Sequence, residues 1–243
     1  MAEPVVLAPG LLCDAWVWAD QRRALKADGH PVFAPDFFGF DSIEAMAAMV
    51  LDRAPFPRFA LAGHSMGARV AMEVVRQAPG RVLRLALLDT GVHPVRSGEA
   101  KARGALVDLA RAEGMAAMAA RWLPPMVHPD RHGDEGLMAG LLAMVERASP
   151  EIFARQQHAL LNRPDTEAAL AAVRVPTAAI VGRQDAWSPV AQHEAIVAAV
   201  PGATLTVIED SGHMAPVERP EAVTAALRAW LAPPPAPSAM TGF

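Results

Sequence analysis

The stretch Phe59–Val70, FALAGHSMGARV, sets one serine, Ser65, between Gly63 and Gly67. The residues before it form a short apolar run of the kind that makes a buried strand, and those after it begin a helix-like pattern. A strand that passes straight into a helix must turn sharply. Glycines two positions on either side of the serine permit that turn and let its backbone lie close against strand and helix. Such a turn lifts the Ser65 hydroxyl clear of the sheet.

Outward from this stretch, similar runs recur. They are PVVLAP (4–9), PVFAPD (31–36), RFALAG (58–63), VLRLALLD (82–89), VPTAAIVG (175–182) and ATLTVIE (203–209). Such runs lack polar alternation, the mark of strands covered on both faces. Helical patterns separate most of them. Asp14 is placed to cap AWVWADQRRALKADG, and Gly29 sits where that helix stops. Asp41 and Glu44 stand at capping-box spacing in DSIEAMAAMVLDRA. This alternation predicts an α/β fold with a mainly parallel sheet of about six strands, flanked by helices.

The rhythm fails over residues 92–173, where EAKARGALVDLARAEG, MAAMAARWL, GLMAGLLAMVERA and EIFARQQHALL are all helical. The expected organisation is therefore a core of residues 1–91 and 174–231 with a helical insertion at 92–173. A Pro-rich tail follows at 232–243.

Ligands of an open parallel sheet bind beyond the carboxyl ends of its strands. Those ends carry Pro9-Gly10-Leu11-Leu12, the GHSMG turn, Asp89-Thr90, Gly182-Arg183-Gln184-Asp185 and Gly212-His213. A serine hydroxyl is a weak nucleophile near neutral pH. It needs a base within hydrogen-bond reach, and the base needs a third group to hold its tautomer. Serine, carboxylate and histidine each follow a different predicted strand here.

GHSMG between a strand and a helix resembles the nucleophile elbow of the α/β-hydrolase superfamily. The order Ser65, Asp185, His213 is that family's order. VGRQDAWSP resembles the segment carrying its acid, and SGHMAPVERPE the segment carrying its histidine. The resemblance covers nearly the whole chain and implies an α/β-hydrolase fold with a helical cap between two core strands. It further implies a serine hydrolase of small to medium carboxylic esters or lactones. Ser65 is then the nucleophile, His213 the base and Asp185 the acid, in preference to Asp89, where some relatives place it. The backbone N–H groups of Leu11 and Met66 are the implied oxyanion hole.

The same triad serves enol-lactonases, carbon–carbon bond hydrolases, thioesterases and lyases, and a non-catalytic ligand-binding module can share the fold. These readings stay open. Dehalogenases and epoxide hydrolases of the superfamily carry aspartate at the elbow, so Ser65 excludes both. The chain also departs from many relatives in having Pro9-Gly10 where they have His-Gly. Its first strand begins almost at Met1 instead of after an antiparallel hairpin. An all-parallel sheet is the consequence expected.

Candidate pocket residues are Phe37, Met118 and Trp122, with Arg121 beside Trp122 as a candidate holder of a substrate carboxylate. His64 reads as a packed residue of the turn and Cys13 as a small buried filler. In HPDRHGD (128–134), Pro129 breaks any helix that would align His128 with His132, so this is read as a solvated loop and no metal site is expected. HEAIV (193–197) lacks the second histidine of a zinc-protease motif. Neither a G-x-G-x-x-G nor a Walker motif occurs, and no cofactor is expected.

The 243 residues carry a formal charge of −4 with Lys and Arg scattered, which gives a nucleic acid no basic face to bind. One cysteine leaves no internal disulfide. No apolar stretch reaches bilayer length, and MAEPVVLAPG has an acid where a secretory leader wants basic residues. The expectation is a cytoplasmic protein whose partners are a small-molecule substrate and water, with no membrane and the oligomeric state open.

Overall fold

All strand pairs in the computed structural model, which describes residues 2–232, are parallel. The strands are β1 (Val5–Ala8), β2 (Val32–Phe33), β3 (Phe59–His64), β4 (Val82–Leu88), β5 (Thr177–Gly182) and β6 (Thr204–Ile208). Their order in the single sheet is β2-β1-β3-β4-β5-β6. Each coincides with one of the six apolar runs, β3 running one residue past its run to His64. Strands β1, β3 and β5 are buried along their whole length, which is why their sequences show no polar alternation. Side chains such as Leu7, Leu61, Leu85 and Ile180 are fully buried, each contributing about 1.5–3 kcal/mol. Edge strand β2 is shorter than its run. Pro35 brings no amide to a ladder, and the Asp36 carboxylate accepts the Phe38 amide at 2.7 Å, so the chain turns there instead.

The helices in chain order are α1 (Ala19–Ala27), α2 (Ile43–Arg53), α3 (Met66–Gln77), α4 (Glu99–Trp122) and α5 (Glu135–Glu146). They continue with α6 (Pro150–Leu161), α7 (Glu167–Ala171), α8 (Val190–Ala199), α9 (Ala215–Glu218) and α10 (Pro220–Leu231). Helix α1 packs on α10, and α2 on α3. Asp14 caps a 3-10 turn, Ala15–Trp18, that leads into α1. The cap of α2 is Ser42, not Asp41. Ser42 has the extended backbone of a cap residue, and its hydroxyl accepts the Ala45 amide at 3.0 Å, leaving Asp41 outside the helix.

Four helices, α4 to α7, lie between β4 and β5. The first two helical segments of the sequence merge into α4, kinked at Gly114, where φ is 88°. The short α7, not foreseen, packs on α3 and α8. All of the Pro-rich tail beyond Ala232 lies outside the described residues.

The strand order locates the site. After β1 the chain crosses to β2 on one side, then returns to β3 on the other, so the gap between the ends of β1 and β3 is a topological switch point. Registers Ala8↔Gly63, His64↔Leu88 and Gly182↔Ile208 bring the strands to one level at that edge. The loops bearing Leu11, Ser65, Asp89, Asp185 and His213 all leave from it.

Candidate active site

Ser65 joins β3 to α3 with φ 54° and ψ −115°, a conformation that costs about 1–3 kcal/mol unless the surroundings hold it. Those surroundings are close backbone contacts. A Cβ at Gly63 would stand 2.3 Å from the Gly67 carbonyl oxygen, and one at Gly67 would stand 2.3 Å from that of Ala8. Only glycine lets β1, the turn and α3 meet this closely. The Ser65 amide donates to Leu88 O at 2.8 Å, and the Thr90 hydroxyl donates to Ser65 O at 3.2 Å.

The Ser65 Oγ lies 2.8 Å from His213 Nε2, and His213 Nδ1 lies 2.8 Å from Asp185 Oδ2. With Nδ1–H donating to the carboxylate, Nε2 is the acceptor for the serine proton. The other oxygen, Asp185 Oδ1, accepts the Trp187 and Ser188 amides at 2.8 and 2.9 Å. Burial by itself would raise the Asp185 pKa. The His213 ring and these hydrogen bonds outweigh it and hold the carboxyl below its usual range.

Glu218, which the sequence reading did not single out, organises the histidine loop. Its Oε1 accepts the amides of Gly212 and Met214 at 3.0 and 3.1 Å, and its Oε2 accepts that of His128 at 2.7 Å. The His213 amide donates to Met126 O at 2.8 Å. An acid five residues after a loop histidine, inside SGHMAPVERPE, was the available signal.

Asp89 ends β4 fully buried, and its Oδ1 accepts the Gly182 amide at 2.9 Å, tying β4 to β5. Its hydrogen bond is with strand backbone, and the histidine beside its other oxygen is His64, with Nε2 3.7 Å from Asp89 Oδ2. His64 Nε2–H donates to His213 O at 2.8 Å, so this residue packs behind the site. Burial, then His213, pushes its pKa down to about 3, and the ring is neutral. Burial raises the Cys13 thiol to about 12. In the remaining histidine motifs, His193 accepts the Thr90 amide at 3.0 Å and His128 Nδ1 accepts that of Asp130 at 3.1 Å.

A cavity of about 410 Å³ opens on Ser65, within the usual range of small-molecule sites. Leu11, Met66 and His213 line its floor, and Leu106, Trp122 and Leu160 from the helical segment line its walls. Trp122 lines the cavity; the three other pocket candidates do not. Phe37 and Met118 are fully buried outside the lining, and Arg121 is exposed. Adjacent helical residues lie about 100° apart, so when Trp122 faces the cavity Arg121 faces away.

Among the described residues, neither the Leu11 nor the Met66 amide has an acceptor. Met66 opens α3, where the first amides lack intrahelical partners. Next to Leu11, Leu12 has φ 59°, and its amide donates to Gln156 Oε1 at 2.8 Å. Gln156 Nε2 donates to Phe37 O at 3.2 Å. This buried α6 residue was also not foreseen. Among the described residues no cluster of three His, Cys, Asp or Glu side chains is placed to hold a metal, and no helix is long and apolar enough to cross a membrane.

Comparison with known proteins agrees with this architecture. Residues 5–226 match the model of the Alpha/beta hydrolase family, and the chain belongs to that family. It is a hydrolase. A thermophilic esterase from Thermogutta terrifontis, solved with malate bound, is 31% identical with a TM-score of 0.87, over 95% of this chain and 90% of its own. The enol-lactonase from Burkholderia xenovorans is 25% identical with a TM-score of 0.85, over 95% and 92%. A bromoperoxidase from Bacillus anthracis, 18% identical with a TM-score of 0.82 over 95% and 92%, shares the fold alone. No curated protein sequence matches the chain.

Proposed function

We propose that this hydrolase cleaves carboxylic esters or lactones of small to medium size through an acyl-enzyme on Ser65. The observation that carries the reading is the hydrogen-bonded series Ser65–His213–Asp185, with 2.8 Å at each step. Ser65 Oγ attacks the carbonyl carbon while its proton passes to His213 Nε2. Asp185 stabilises the imidazolium, and the amides of Leu11 and Met66 receive the oxyanion. The proton then goes to the departing alkoxide. Water, deprotonated in turn by His213, attacks the acyl carbon and releases the acid and the Ser65 hydroxyl. The chemistry requires no cofactor.

Helices α4, α5 and α6 act as a cap over a core of residues 1–91 and 174–231. A cavity of about 410 Å³ suits a small acyl or lactone group and not a long polymer. The esterase and the enol-lactonase among the similar structures support this substrate class. We place the enzyme in the cytoplasm.

A panel of p-nitrophenyl esters of rising acyl length, together with lactones, thioesters and a triglyceride emulsion, tests the proposal. Short and medium esters or lactones are expected to turn over fastest, with no rate jump above the substrate's solubility limit. A jump there, or a clear preference for the emulsion, contradicts the closed-pocket reading. Binding without turnover of any of them would make the protein a ligand-binding module.

A further inference from the structure

One wall of the cavity is more cationic than its surroundings. Arg69, Arg96, Arg103 and Arg163 line it against Glu99, in a chain whose formal charge is −4. Glu99 is already engaged by two of these guanidinium groups and by the Arg96 amide. It accepts from Arg103 Nε at 2.9 Å and from Arg163 Nη1 at 2.7 Å. Arg163 is further held by the carbonyls of Leu160 and Pro94, each at 2.8 Å.

Arg69 has no such partner. It projects from α3 four residues after Ser65 and is 6% exposed. Of its five N–H donors, one is engaged, by Nη2 on His93 O at 3.2 Å, and Nη1 is buried with no acceptor among the described residues. Gln157 stands in the same wall. Its Oε1 accepts from Arg103 at 2.6 Å, while its buried Nε2 likewise finds no acceptor. Burying a guanidinium without a counter-charge is costly, and structures that keep one commonly use it. Donors in excess, with positive charge in excess, call for a ligand group that only accepts and is negative.

We infer that this wall is an anion subsite, centred on Arg69 and Gln157, for a carboxylate carried by the substrate away from its scissile carbonyl. Rigid, planar and multiply donating, a guanidinium matches a carboxylate in both charge and shape. The rise along α3 from Ser65 to Arg69 is about 6 Å, so the carboxylate belongs a few bonds from the reacting carbonyl. Half-esters of short dicarboxylic acids and carboxylated lactones have that form. The assignment rests on the hydrolase reading for its substrate but not for the anion site itself.

The test compares p-nitrophenyl hemiglutarate with p-nitrophenyl hexanoate, alongside calorimetric titration of the protein with glutarate. The native protein should favour the hemiglutarate by about tenfold or more in kcat/KM, and Arg69→Met should erase that preference through KM. Glutarate should bind the native protein and lose about tenfold or more in affinity to Arg69→Met. If Arg69→Met does not fold, Arg69→Lys serves, with the preference reduced several-fold because the planar fork is lost. A native preference ratio of one or below overturns the inference, as does a variant that slows both esters equally or binds glutarate as before. If neither ester is turned over, the hydrolase reading fails separately. Glutarate binding then decides the subsite, upheld if it needs Arg69 and overturned if it is absent.

Discussion

The side-chain oxygen of Gln156 accepts the Leu12 amide at 2.8 Å, joining residues 144 positions apart in the chain. One comes from helix α6 over the site and the other from the loop after the first strand. Gln156 also donates to Phe37 O at 3.2 Å, so it clamps two loops of the sheet edge at once. In the proposed mechanism the Leu11 amide beside it receives the oxyanion, and this clamp fixes the loop that carries it. Replacing Gln156 with Leu leaves a buried donor and a buried acceptor unpaired, at about 1–3 kcal/mol each. We expect Gln156→Leu to lower Tm and to cut kcat by about tenfold with little change in KM, because the oxyanion donor acts in the transition state. A drop in Tm with kcat intact would mean the clamp is structural only.

The two buried aspartates at the strand ends make different contacts, and this predicts different phenotypes. Asp185 faces His213 Nδ1, and an amide there would favour the wrong tautomer, a change worth about 10⁴-fold in kcat in comparable triads. Asp89 instead accepts the Gly182 amide, which the Oδ1 of an asparagine can also accept. Asp185→Asn should therefore cost far more ester turnover than Asp89→Asn. The reverse ranking would move the acid to the end of β4.

Glu218 holds three amides around the histidine loop, and alanine there would leave all three without their acceptor. Glu218→Ala should lose several kcal/mol of stability, at about 1–3 kcal/mol per orphaned amide. Chemical denaturation checks this directly. A loss within about 0.5 kcal/mol, the level of an ordinary surface substitution, would show that water replaces the carboxylate without cost.

Acid should weaken the helical segment between β4 and β5 through Glu99. Burial opposes its ionisation, but Arg163, the Arg96 amide and Arg103 outweigh that and depress its pKa from the usual 4.5. A carboxylate with a depressed value in the fold adds stability that is complete above its unfolded pKa and fades as pH falls toward the folded one. The Tm gap between the native protein and Glu99→Gln should thus be widest above about pH 5 and shrink below it. A gap independent of pH would rule out the ionised carboxylate as its source.

The sheet and its carboxyl edge were readable because their signals are local. Runs such as RFALAG have one face pattern, and GHSMG needs no distant residue to specify its turn. Residues whose meaning depends on distant partners were not readable. Gln156, Glu218 and Arg69 look like ordinary polar helix positions until tertiary packing buries them. Arg121 lies outside the cavity lining for a different reason. Helical phase decides which of two neighbours faces the pocket, and the kink at Gly114 hides that phase from the sequence. The α2 cap shifted from Asp41 to Ser42 because adjacent residues of similar capping strength compete for one position.

The central claim is that Ser65 is a nucleophile activated by His213, and covalent labelling tests it most directly. The native protein should be treated with a fluorophosphonate, digested and mapped by mass spectrometry, with Ser65→Ala and His213→Ala in parallel. The account predicts one label per chain, on the peptide bearing Ser65. It should be absent from Ser65→Ala and slowed by orders of magnitude in His213→Ala. A folded native protein that takes no label, or takes it on a residue other than Ser65, would contradict it.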